Sequence, residues 1–147
     1  MAMLTALRSI PFCLAVLAGS LLAQEPSKAI RQQVERVGAG LAARNAEDAI
    51  TPFDKSFDNY ERLRDYFTAL TTAYSVVSEL EVTDEQIGDQ DAALTVHWVL
   101  VLSDLSSGLS ENREENLTIK LNLKKSDWKI VSLEPLDFFN PEFRKSK

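Results

Sequence analysis

Leu117-Thr118-Ile119-Lys120-Leu121-Asn122-Leu123-Lys124 alternates apolar and polar residues without a break. A period of two turns Leu117, Ile119, Leu121 and Leu123 to one side of a β-strand and leaves the other side to water. Lys125-Ser126-Asp127 then makes a tight turn, and residues 128–133, Trp-Lys-Ile-Val-Ser-Leu, return as a neighbouring antiparallel strand. Upstream, residues 92–102 read Ala-Ala-Leu-Thr-Val-His-Trp-Val-Leu-Val-Leu, rich in β-branched and aromatic side chains, and predict a long strand. Residues 76–82 carry a mixed strand pattern. Asp89-Gln90-Asp91 is a polar turn, and residues 103–112 read as a polar loop around Gly108.

Before the strands the period is helical. Ile30, Val34, Val37 and Leu41 recur at spacings of four, three and four and predict a helix over residues 26–44, with Pro26 in its first turn. Gly38 and Gly40 weaken that helix and permit close packing. Asn45 caps a short helix over residues 46–50, which Pro52 stops. Residues 51–57 form a loop that brings Phe53 and Phe57 to the core. Asp58, with Glu61 three residues on, reads as a capping pair for a third helix. Leu63, Phe67, Leu70 and Tyr74 give that helix one apolar face. Helices followed by antiparallel strands predict an α+β fold, the helices covering one face of the sheet.

The chain has 147 residues and a net charge of −6. A pI near 4.8 argues against a nucleic-acid partner, which needs a concentrated basic face. Residues 1–23 hold no acidic residue and only Arg8, with an apolar run over residues 10–23. That is the pattern of a secretory signal peptide, cleaved after Ala23 or after Ser20; the alternative is an uncleaved N-terminal anchor. Pro11 and Phe12 precede Cys13, which argues against lipidation there. The remainder, residues 24–147, is one domain of net charge −7, because Arg8 leaves with the leader. It contains no Cys, so it forms no disulfide, and export without disulfides suits a bacterial periplasmic or secreted protein. No run of 18 apolar residues predicts a membrane span.

The order of elements, with Leu41-Ala42-Ala43-Arg44-Asn45-Ala46-Glu47-Asp48 between the first helices and the closing Asp127-Trp128-Lys129-Ile130-Val131, resembles the nuclear-transport-factor-like, or SnoaL-like, superfamily. The resemblance covers residues 27–139. It implies a cystatin-like cone, the helices lying on the concave face of a curved antiparallel sheet, with a pocket between the two. Isomerases, cyclases, dehydratases and non-catalytic modules share that fold, so fold does not choose a function.

No catalytic constellation of those enzymes can be matched to positions here. Asp65, Tyr66 and Tyr74 are the acid–base candidates, and Phe67 and Trp98 the candidates for contact with an apolar ligand. Tyr66 and Tyr74 read first as core aromatics with a wet hydroxyl. His97 shares a strand face with Ala93, Thr95, Val99 and Val101, opposite the apolar set Leu94, Val96, Trp98, Leu100 and Leu102, so it falls on the outside of the cone. No spacing suggests a metal site, and no motif calls for a cofactor. The cluster over residues 111–115, with Arg113, reads as a solvated loop or strand start. Two functions remain. One is an exported non-catalytic module that binds an apolar small molecule or pairs with itself through the outer sheet face. The other is a small isomerase or hydro-lyase. A filled or wholly apolar cone favours the module; two converging ionisable groups favour the enzyme. Leu136, Phe138 and Phe139 predict a docked C-terminal stretch, dispensable only beyond Asn140.

Overall fold

The computed structural model describes the backbone of residues 10–143 and the side chains of residues 26–143. Helix α1 (Ile10–Ala42) is followed by α2 (Ala46–Ile50) and α3 (Tyr60–Ala73). Strands β1 (Tyr74–Ile87), β2 (Asp91–Asp104), β3 (Ser110–Lys124) and β4 (Asp127–Glu134) form one antiparallel sheet in that order. The Glu134–Pro135 peptide is cis, and a 3-10 helix (Leu136–Phe139) closes the chain. The α+β expectation holds, with the helices on one face of the sheet.

The helical periodicity translates directly into burial. Ile30, Val34, Val37 and Leu41 of α1 and Leu63, Phe67 and Leu70 of α3 are 0–1% exposed. On β2 the even residues Leu94 to Leu102 are buried, whereas Ala93, Thr95, His97, Val99 and Val101 are half-buried on the opposite face. Asn45 accepts a hydrogen bond from the Asp48 amide at 3.1 Å, the cap expected of α2. Gly40 is required where α1 meets α2, because a Cβ there would stand 2.5 Å from the Ala49 nitrogen. The loop after α2 reaches the β4 edge: Asp54 donates its amide to the Ile130 carbonyl and Ile130 returns one to Pro52. Those bonds cover an edge strand that would otherwise present free backbone groups.

Several boundaries move. Residues 1–9 of the expected leader lie outside the described residues; from Ile10 the backbone is helical and runs unbroken through Pro26, so Pro26 is inside α1 rather than in its first turn. The expected Asp58–Glu61 cap does not form. Asn59 holds the cap position with no side-chain bond, and Glu61 pairs with Arg64 at 2.9 Å instead, one helical turn on. Tyr74 ends α3 and opens β1 in extended conformation. Strand β1 runs five residues beyond Val82, to Ile87, because an irregularity between Val82 and Asp84 lets pairing with β2 resume. The polar loop before β3 is shorter than expected: Ser110 pairs with Ser103, and Arg113 with Leu100.

Candidate functional site

The inner face of the sheet and the apolar face of α3 enclose a chain of aromatic rings. Phe67 of α3 meets Phe139 edge-on at 5.2 Å, Phe139 meets Trp98 of β2 at 5.3 Å, and Phe138 packs on Phe139 at 5.1 Å. All four are fully buried. Such edge-to-face contacts add to burial about 0.5–1.5 kcal/mol per pair. Trp98 donates its indole N–H to Ser78 Oγ at 2.8 Å, which satisfies the one polar atom it brings inside. The two candidates for ligand contact therefore meet a segment of the chain itself.

That segment, residues 136–143, forms a strap held by Arg113. Alternation carried back from Leu117 turns Arg113 inward, and it is 1% exposed. Its Nη1 donates to the carbonyl oxygens of Phe138 at 2.9 Å and Asn140 at 2.7 Å. Nη2 donates to the Pro141 carbonyl at 3.1 Å and to Glu111 Oε2 at 3.1 Å, and Nε reaches the same carboxylate at 3.3 Å. All five guanidinium N–H groups thus have acceptors, three of them on the strap. The Phe143 ring lies 5.2 Å from the guanidinium carbon and adds a cation–π contact. Arg113 is consequently not part of a solvated charge cluster. A neighbourhood of three glutamates concealed a strand parity that points inward. The strap also extends the docked segment beyond Asn140, to Phe143.

The acid–base candidates do not converge. Asp65 is exposed on α3, and Tyr74 is half-buried at the junction of α3 and β1. Tyr66 donates its hydroxyl to Asp137 Oδ1 at 3.3 Å, tying α3 to the strap. Burial first, and then the Asp137 carboxylate, push the Tyr66 phenol above its ordinary range. Among the described residues no group of three His, Cys, Asp or Glu side chains is placed to hold a metal ion, and no helix is long and apolar enough to cross a membrane.

On the outer face His97 engages both ring nitrogens, Nδ1 with Asn116 Oδ1 at 2.9 Å and Nε2 with Glu114 Oε1 at 2.7 Å. Two acceptors favour the imidazolium, so Asn116 first and Glu114 second raise its pKa. Glu81 faces it from β1. This is a surface network across β1, β2 and β3, in line with the outward placement read from the sequence.

A separate open cleft of about 750 Å³ lies between α2, the start of α3 and the β3–β4 turn, lined among others by Lys55, Tyr60 and Lys129. Its wall is held by Asp54, which accepts from Lys124 Nζ at 2.6 Å and from the Ser56 amide at 2.8 Å. The Lys124 bond and then the Ser56 bonds lower the Asp54 pKa from 3.8 to about 2. A carboxylate depressed in the folded state stabilises it above the unfolded value, and that contribution is lost as pH falls through the folded one. Unfolding free energy is therefore expected to drop between pH 3.8 and about 2, by roughly 1 kcal/mol given the half-exposed Lys124. Asp54→Asn should remove this step from the pH dependence of urea midpoints; an unchanged step would assign it elsewhere.

The geometry has counterparts among solved structures. A conserved protein from Planctomyces limnophilus superposes with a TM-score of 0.70 at 9% identity, covering 75% of this chain and 94% of that one. An NTF2-like protein with a cystatin-like fold from Novosphingobium aromaticivorans gives 0.62 at 18% identity, over 82% and 86%. The fold is the NTF2-like cone. A ketosteroid isomerase-like protein from Erwinia carotovora shares it, with a TM-score of 0.62 at 8% identity over 72% of this chain and 91% of that one. No protein-family model and no curated protein matches the sequence. At these identities the likeness is one of fold, and the NTF2-like fold hosts unrelated activities.

Proposed function

We propose that the chain is an exported, non-catalytic NTF2-like module that pairs with a second copy through the outer face of its sheet. One observation carries the non-catalytic part. Phe139 fills the place between Phe67 and Trp98, and the acid–base candidates do not converge on it. Proton transfer needs a base within about 3 Å of a bound substrate. Exposed Asp65 and strap-bound Tyr66 offer no such shared site. Export rests on the charge-poor apolar leader, whose removal after Ala23 would also return Pro26 to the first turn of its helix.

Pairing is supported by the outer face itself. Val99 and Val101 lie half-buried on β2 beside Val77, which is 53% exposed on β1. Both main helices and the strap occupy the inner side, and a strand apolar on both faces is normally covered on both. Outward Asn112, Glu114, Asn116, Thr118 and Lys120 of β3 and outward Glu79 and Glu81 of β1 are polar, so the contact is centred on β2, with Val77 beside it. Light scattering of residues 24–147 at micromolar concentration should give twice the monomer mass, and Val99→Glu should return it to the monomer mass while folded. A monomeric parent, with Val99→Glu equally stable and soluble, would refute the pairing.

A further inference from the structure

We propose that the strap is a displaceable plug, and that the place it fills is a binding site for an aryl-substituted aliphatic carboxylate. The strap already behaves as a ligand bound in cis. It inserts one ring, Phe139, between two walls that belong to the rest of the fold, Phe67 and Trp98. It presents acceptor oxygens to a buried cation that also belongs to the rest of the fold. Glu111 takes Nε and one N–H of Nη2, and it anchors the guanidinium from the rim, with its side chain 41% exposed. The strap takes the remaining donors, both on Nη1 and one on Nη2. Those two nitrogens form the edge that carboxylates engage with two parallel bonds.

The ligand class follows from what the strap would leave behind. Three N–H groups on a buried cation need three acceptor sites. A carboxylate laid across the Nη1–Nη2 edge accepts two parallel bonds and brings the charge that offsets the cation, whereas a neutral carbonyl or hydroxyl does neither, so the acid is the preferred ligand even with the outer Nη1 N–H left to another acceptor. The strap also sets the spacing. Along the chain the Phe138 carbonyl carbon is separated from the Phe139 ring by four bonds, through N, Cα and Cβ. In 4-phenylbutyrate the carboxyl carbon stands the same number of bonds from its ring. A plug tethered to its own site competes at high effective concentration, so the intact chain binds such an acid weakly, and loosening the strap tightens binding.

This inference does not depend on pairing through the outer face, and its readouts are binding and exchange rather than mass. Calorimetric titration of Phe139→Ala with 4-phenylbutyrate should show affinity at least about tenfold above that of the parent chain. Adding Arg113→Gln should lower it about tenfold while leaving 4-phenylbutan-1-ol unaffected, because only the acid uses the guanidinium. Equal affinity of acid and alcohol for Phe139→Ala would mean a generic cavity and would overturn the site. If Phe139→Ala does not fold, hydrogen exchange on the parent decides. The strap amides of Phe138, Asn140 and Phe143 are hydrogen-bonded within residues 135–143. They should exchange several-fold faster at millimolar 4-phenylbutyrate, and not with the alcohol. Unchanged exchange under those conditions would overturn the plug.

Discussion

Removal of residues 136–147 is expected to lower the melting temperature by at least about 10 °C or to abolish folding, whereas removal of residues 144–147 leaves it within about 1 °C. Phe138 and Phe139 are both fully buried, and burial of each contributes about 1.5–3 kcal/mol. Their loss also exposes Phe67 and Trp98 to water and leaves Arg113 without three of its acceptors. Part of this is offset by the conformational freedom that ordered strap residues no longer lose, about 1–2 kcal/mol each. The three hydrogen bonds from the charged guanidinium add to the deficit, each with a net contribution of about 1.5–3 kcal/mol. A cut after Asn140 should fall between the two, because it removes the Pro141 carbonyl and the Phe143 ring but leaves both buried phenylalanines. Thermal denaturation by circular dichroism ranks the three truncations. Equal melting temperatures for the two extreme cuts would show that the strap contributes nothing.

Arg113→Met should destabilise the chain by about 3–5 kcal/mol although it keeps most of the buried stem. The methionine fills space but donates nothing, so the Phe138 carbonyl loses its donor in a buried site and the carbonyls of Asn140 and Pro141 lose theirs in partly buried ones. Each unsatisfied buried group costs about 1–3 kcal/mol. In the chain lacking residues 136–147 the same substitution should be neutral or stabilising, provided that chain folds, because the guanidinium there has no strap to hold. Urea denaturation of the four proteins closes the cycle. If Arg113→Met matches the parent, the latch is not what retains the strap.

The contrast between Arg113 and its neighbours shows where reading by residue type fails. Glu111, Glu114 and Glu115 surround it in sequence, and charge clusters usually face water. The alternation that starts at Leu117 nevertheless extends back with the same parity through Glu115 and Arg113 to Glu111. Parity was therefore the available signal, and chemical type overrode it. The Asp58–Glu61 cap failed differently. Its spacing was right for a capping box, but the helix begins at Tyr60, which puts Asn59 in the cap position and leaves Glu61 free for Arg64.

Local pattern alone determined the two helical stripes, the alternation of β2 and β3, the Asn45 cap and the outward placement of His97. Each depends on residues within a turn or two of one another, where backbone geometry ties spacing to direction. The sequence also marked Phe138 and Phe139 for burial, because leaving both rings in water is costly. Their destination is a different matter. Apolar surface is sticky without direction, and either face of the sheet could have taken two phenylalanines. Tertiary structure chose the inner face. There α3 and β2 leave a gap between Phe67 and Trp98 that fits one ring, and an inward arginine 25 residues before Phe138 needs acceptors that no neighbouring side chain but Glu111 supplies. Hydrogen bonds have direction where burial does not, and so the strap settles where its carbonyls meet that cation.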